Sequence, residues 1–124
     1  MRKKTALLTD AEFRLMEVLW AKGAATVGEV KDGLAQESPP AYSTVLTTLR
    51  IMERKGYVEH TKEGRAFVYR PLIDRQNACR SAVRHLVSRF FDDSPELLVL
   101  NILKHEQVEA EELKRLKALI EASE

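Results

Sequence analysis

Four side chains in one stretch carry the most specific chemistry of this chain: Ser43, Thr47, Arg50 and Arg54, in the run Tyr42-Ser43-Thr44-Val45-Leu46-Thr47-Thr48-Leu49-Arg50-Ile51-Met52-Glu53-Arg54-Lys55. At about 100° per residue they share one face of a helix, with Val45, Thr48, Leu49 and Met52 opposite. Such a stripe suits the major groove of DNA. Short hydroxyls let the helix backbone approach a duplex, and the planar fork of Arg50 can bond guanine O6 and N7 or clamp a phosphate. Ser43 and Thr44 stand near the helix start, where hydroxyls and backbone amides can meet a phosphate, unless Thr44 is used as a cap. Leu46 and Ile51 flank the stripe and either touch thymine methyl groups or pack against a neighbouring element.

An amphipathic helix of this kind is, taken alone, more often a solvated face than a reading head. Its neighbours reverse that weighting. Downstream, Tyr57 to Thr61 and Ala66 to Arg70 are rich in aromatic and β-branched residues, and Lys62-Glu63-Gly64-Arg65 between them has turn chemistry. The expectation is a β-hairpin whose tip offers Lys62 and Arg65 to phosphate or the minor groove, unless they serve solubility alone, with Glu63 weakening the local field. Upstream, Thr9-Asp10-Ala11-Glu12 and Thr26-Val27-Gly28-Glu29 both have the form of a capping box. The first opens a helix with Phe13, Met16, Val18, Leu19 and Trp20 inward and a stop at Gly23; the second opens a short helix through Val30 and Leu34. Pro39-Pro40 holds the chain extended before Tyr42, and Gly56 ends the third helix. Three helices and a hairpin in about 70 residues make a winged helix-turn-helix with the third helix in the reading position.

The remainder, from residue 73 on, reads as a helical domain. Val83, Leu86, Val87, Phe90 and Phe91 recur at threes and fours, Ser94-Pro95-Glu96 is a capped helix start, and Leu97 to Leu103 is strongly apolar. A last helix, Ala110 to Ala122, puts Leu113, Leu116, Leu119 and Ile120 on one side. Three short amphipathic helices have little to pack on within one chain. A second copy is the expected cover, with Val83, Leu86, Val87, Phe90, Leu97, Leu100, Leu113, Leu116 and Ile120 at the dimer interface. The fold class is thus mainly α with a small β-hairpin wing, a DNA-binding domain over 1–72 followed by a dimerisation domain over 73–124.

The 124 residues, 44% hydrophobic and 31% charged, suit a folded protein of one or two small units. Net charge is only +1, but residues 1–75 hold 13 Lys and Arg against 10 Asp and Glu, and residues 76–124 hold 7 against 9. The basic excess therefore lies with the reading helix, and Arg2-Lys3-Lys4 could touch phosphates as an arm or simply be solvated. Lone Cys79 rules out an internal disulfide, no apolar run is long enough to insert in a membrane, and no signal core follows Met1; a cytoplasmic location is expected. His60, His85 and His105 lie on separate elements without metal spacing, and Asp92-Asp93 reads as favourable charge before a helix start. With no nucleophile–base pair or Gly-rich phosphate loop, neither an enzyme nor a cofactor is expected.

These residues resemble the penicillinase-repressor and methicillin-resistance-repressor family, which includes copper-responsive members. The matching segments are Leu8-Thr9-Asp10-Ala11-Glu12 with Leu19-Trp20, Tyr42-Ser43-Thr44-Val45 through Lys55-Gly56-Tyr57-Val58, Phe67-Val68-Tyr69-Arg70-Pro71, and Leu98-Val99-Leu100-Asn101. The resemblance implies a homodimeric repressor on a palindromic double-stranded operator, relieved by cleavage after Asn101, before Ile102, through a membrane-bound sensor metallopeptidase. Members often carry polar residues where this chain has Leu46 and Ile51, so the resemblance does not fix the operator sequence. The copper-responsive branch carries a cysteine cluster in its tail, and this chain has only Cys79. The competing class is a winged-helix protein-interaction module without sequence-specific DNA binding, for which the near-neutral charge would serve.

Overall fold

Two reciprocal caps set the first two helices. The Thr9 hydroxyl accepts the Glu12 amide (3.1 Å) and the Glu12 carboxylate accepts the Thr9 amide (2.9 Å), opening α1 (Asp10–Lys22). Thr26 and Glu29 repeat the exchange for α2 (Val27–Gly33), and the Thr26 amide holds the Glu29 carboxyl below its ordinary pKa. The computed structural model describes residues 7–34 and 38–123, so the Arg2-Lys3-Lys4 arm lies outside the described residues. Between the two helices Ala25–Thr26 also forms a strand, β1, and is followed in chain order by α3 (Tyr42–Arg54), β2 (Val58–Glu63) and β3 (Ala66–Pro71). The sheet is antiparallel with β3 central, pairing Ala25 with Tyr69 and His60 with Tyr69. The hairpin expected from sequence is thus extended to a third strand by β1, which at two residues is too short to show any alternation. Its turn is tighter than expected: Lys62 and Glu63 belong to β2, leaving Gly64-Arg65 as the loop, with Gly64 at φ +64 as a two-residue hairpin requires.

Leu15, Met16 and Leu19 of α1, Val30 of α2, Val45, Leu49 and Met52 of α3, and Val58 and Tyr69 of the sheet form one buried core. Leu15 joins it from outside the inward set expected for α1, whereas Phe13 and Trp20 are only half-buried. They make a platform instead. Their rings meet edge to face at 5.8 Å, the Arg75 guanidinium lies 5.1 Å from Trp20 and 5.5 Å from Phe13, and Arg75 Nη2 reaches Glu17 at 3.2 Å. The Trp20 indole N–H donates to the Ile73 carbonyl at 2.8 Å. Gly33 lets α2 approach α1, since a Cβ there would stand 2.7 Å from Val18 Cγ1.

Glu12 is a charged residue inside this unit, 3% exposed. Its second oxygen accepts from Lys55 Nζ at 2.8 Å, which ties the start of α1 to the end of α3 and raises the Lys55 pKa.

The tail forms α4 (Arg75–Phe90), α5 (Pro95–His105) and α6 (Ala110–Ala122), matching the expected helix starts at Ser94-Pro95 and Ala110. The chain divides into two compact units, one ending at Val83 and the other beginning at Arg84. The first turns of α4 thus pack with the first unit, through Arg75 and buried Ala78, beyond the expected boundary at 72. Asp92 and Asp93 do not cap α5. Both are left-handed (φ 49 and 59) and end α4, with the Phe91 and Asp93 amides donating to the Val87 carbonyl. Val87, expected at the interface, is 8% exposed within its own chain, three residues before α4 ends. Among the described residues, no helix is long and apolar enough to cross a membrane.

Candidate nucleic-acid interface

Among the described residues, helix α3 begins at Tyr42 without any side-chain cap. The Thr44 and Val45 amides both donate to the Ala41 carbonyl (3.0 and 3.1 Å), so Thr44 is not the cap and its side chain stays exposed beside Ser43. Burial of Val45, Leu49 and Met52 turns Ser43, Thr47, Arg50 and Arg54 outward on one face, as their spacing requires. Leu46 is half-buried and packed against the core, the inward of its two options, while Ile51 is 36% exposed.

The threonines are more constrained than the sequence suggests. Thr47 Oγ1 donates to the Ser43 carbonyl at 2.9 Å, and Thr48 Oγ1 to the Thr44 carbonyl at 2.8 Å. With its one proton committed, Thr47 can offer a base only hydroxyl lone pairs and a methyl group. That suits the amino group of adenine or cytosine, or a thymine methyl.

Lys62 and Arg65 are exposed on the hairpin, Lys62 directly across from Phe67. Among the described residues no ion pair engages Arg50, Arg54, Lys62 or Arg65. The acid near the tip is neutralised instead. Glu63 pairs with Arg70 Nη2 at 3.2 Å, and Arg70 Nη1 donates to Thr61 Oγ1 at 2.6 Å, so the local field is more positive than the order Lys62-Glu63-Gly64-Arg65 implies.

Helix and hairpin are joined by a pair that no sequence motif announces. His60 Nδ1 donates to both carboxylate oxygens of Glu53, at 2.7 and 2.8 Å. The His60 ring stands edge-on to Phe67 (5.1 Å) and tilted against Tyr69 (5.3 Å). Alternation along β2, which gives Val58, His60 and Lys62 one face, is the signal that points toward it. Burial raises the Tyr69 phenol pKa; nearby Glu53 raises it further and Arg50 opposes.

Residues 8–122 match the family model described as penicillinase repressor. The chain belongs to the penicillinase repressor family. Members of this family are transcriptional repressors, not enzymes. The penicillinase repressor of Bacillus licheniformis is 33% identical over 96% of this chain and 93% of its own length. The methicillin resistance regulatory protein MecI of Staphylococcus aureus (strain N315) is 20% identical over 97% and 98%. Among solved structures, the DNA-binding domain of the repressor BlaI superposes with TM-score 0.52 at 36% identity, covering 62% of this chain and 93% of that one. Monomeric B. licheniformis BlaI in complex with the blaP half-operator gives TM-score 0.51 at 37% identity, covering 61% and 93%. In this penicillinase-repressor chain the shared region carries the winged-helix fold.

Proposed function

We propose that this chain is a homodimeric repressor that binds a palindromic operator through α3 and the β2–β3 wing. The observation that carries the reading is the likeness, at 37% identity, to a repressor solved on its half-operator. It is joined by an exposed α3 face of hydroxyls and of arginines that, among the described residues, enter no ion pair. Ser43, Thr44, Thr47, Arg50 and Arg54 meet the major groove with Ile51 at its edge, Leu46 shapes that face from beneath, and Lys62 and Arg65 reach the flanking backbone. Duplexes enriched from a random pool should bind the full chain with affinity that falls steeply with salt. A salt-independent or undetectable interaction would favour the protein-interaction reading instead.

Dimerisation is supported by the helical tail. No residue of α5 or α6 is buried, and Val83, Leu86, Phe90, Leu97, Leu100, Leu113, Leu116 and Ile120 are 39–68% exposed, more apolar surface than a lone chain of this size leaves to water. Release follows from hydrolysis of the Asn101–Ile102 bond by a membrane-bound sensor metallopeptidase: water adds across the peptide, leaving a carboxylate on Asn101 and an amine on Ile102. The bond lies inside α5 and is exposed, so that helix must open locally before cleavage. Cutting there splits α5 and detaches α6, and the first units then leave the operator by mass action.

A further inference from the structure

We propose that His60 is a positioning residue: through Glu53 it fixes the wing against the reading helix, so that the DNA contacts of Lys62 and Arg65 depend on a pair that itself touches no DNA. The inference rests on the DNA-binding reading above. Strand β2 leaves the core after Val58, which is 1% exposed, and every residue from Glu59 to Gly64 is exposed. The tip therefore has no core packing along its own strand. Paired strands twist readily, and a hairpin without lateral support samples a broad range of tip positions.

His60 stands at the point where the hairpin still faces another element. Contact of one ring nitrogen with both Glu53 oxygens, at 2.7 and 2.8 Å, centres the imidazole on the carboxylate. Phe67 and Tyr69 flank the same ring from β3 at 5.1 and 5.3 Å, so the imidazole packs on its own sheet as well as bonding to α3. Phe67 is in turn the cross-strand neighbour of Lys62. The chain of contact runs from α3 through Glu53, His60 and Phe67 to the basic end of the wing.

Electrostatics makes the idea easy to break. A carboxylate near a DNA-facing surface repels phosphates, so by Coulomb's law alone removing Glu53 tightens binding. The positioning role requires the opposite sign.

The test uses the full chain and a duplex enriched by the wild type from a random pool, with affinity read by fluorescence anisotropy between about 50 and 200 mM salt. Glu53→Ala and His60→Ala should each weaken binding several-fold and lower the salt slope per subunit by about one to two units, the share of two wing phosphates at about 0.9 each. The double variant should be no weaker than the worse single one. Arg65→Ala, which lowers the slope by about one in the wild type, should add less than about 0.3 in either background. His60→Gln, whose amide can still donate to Glu53, should recover most of the loss. Glu53→Ala leaves the His60, Phe67 and Tyr69 rings in place, so it carries the test even where His60→Ala disturbs folding. Tighter binding by Glu53→Ala, or an undiminished effect of Arg65→Ala beside His60→Ala, overturns the positioning role while the DNA-binding reading stands. Failure of the wild type to enrich any duplex overturns both.

Discussion

Lys55→Met tests whether the buried acid of α1 depends on the end of the reading helix. Glu12 has a side chain 4% exposed and Lys55 one 40% exposed, with 2.8 Å between Oε2 and Nζ. A charge-assisted hydrogen bond contributes about 1.5–3 kcal/mol, and solvent at the half-exposed ammonium moves the expectation to the low end, about 1.5 kcal/mol. Trp20 is the only tryptophan and lies in the first compact unit, so its fluorescence reports that unit without interference from the tail. In urea, with a slope of about 1–1.5 kcal/mol/M for a unit of this size, the midpoint should fall by about 1 M. Glu12→Gln keeps the acceptor for the Thr9 amide and removes the charge, and it completes a double-mutant cycle in which the coupling should be about 1 kcal/mol or more. A midpoint shift under about 0.2 M, or two substitutions that simply add, would refute the reasoning, because the carboxylate would then be solvated by another route.

Alkaline titration should show the same pair from another side. The folded-state pKa of Lys55 is raised by its bond to Glu12, so this stabilisation is complete below the ordinary lysine value of 10.5 and is lost as pH rises through the higher folded value. Burial likewise raises Tyr69 above 10.0, so Lys55→Met should lose part of the alkaline fall in urea midpoint while Tyr69→Phe loses the other part. Leu49→Ala, at a fully buried α3 position, should cost about 2–5 kcal/mol in the same assay. Arg50→Ala should weaken the enriched operator by about 1–3 kcal/mol and relax preference at one base pair, as read by competition with single-base variants. Phe90→Glu, on a side chain 68% exposed, should leave the first unit's urea midpoint unchanged and give monomers by light scattering; a dimer of unchanged stability would remove that residue from the interface. Mass spectrometry after co-expression with the cognate sensor protease should find products ending at Asn101 and starting at Ile102, and an intact chain during full derepression would exclude cleavage.

Local chemistry wrote much of this fold legibly into the chain. Thr9 and Glu12, like Thr26 and Glu29, are three residues apart, and reciprocal capping needs nothing beyond that spacing. The period of Val45, Leu49 and Met52 decided which face of α3 is buried and therefore that Ser43, Thr47, Arg50 and Arg54 face out. Tertiary structure decided whatever depended on a partner distant in sequence. Leu46 went inward because a core lay beneath it, and Glu12 became buried because Lys55, 43 residues away, arrived to balance its charge. Val87 is 8% exposed while Phe90, in the same apolar series on α4, is 68% exposed, a difference that apolar periodicity does not register. Glu53 and His60 sit on different elements, and only the register of β2 on β3 and the packing of the sheet under α3 bring them within 2.7 Å. Periodicity fixes what a residue faces along its own element, because that depends on backbone geometry alone; which side chain waits there depends on how separate elements close over one core.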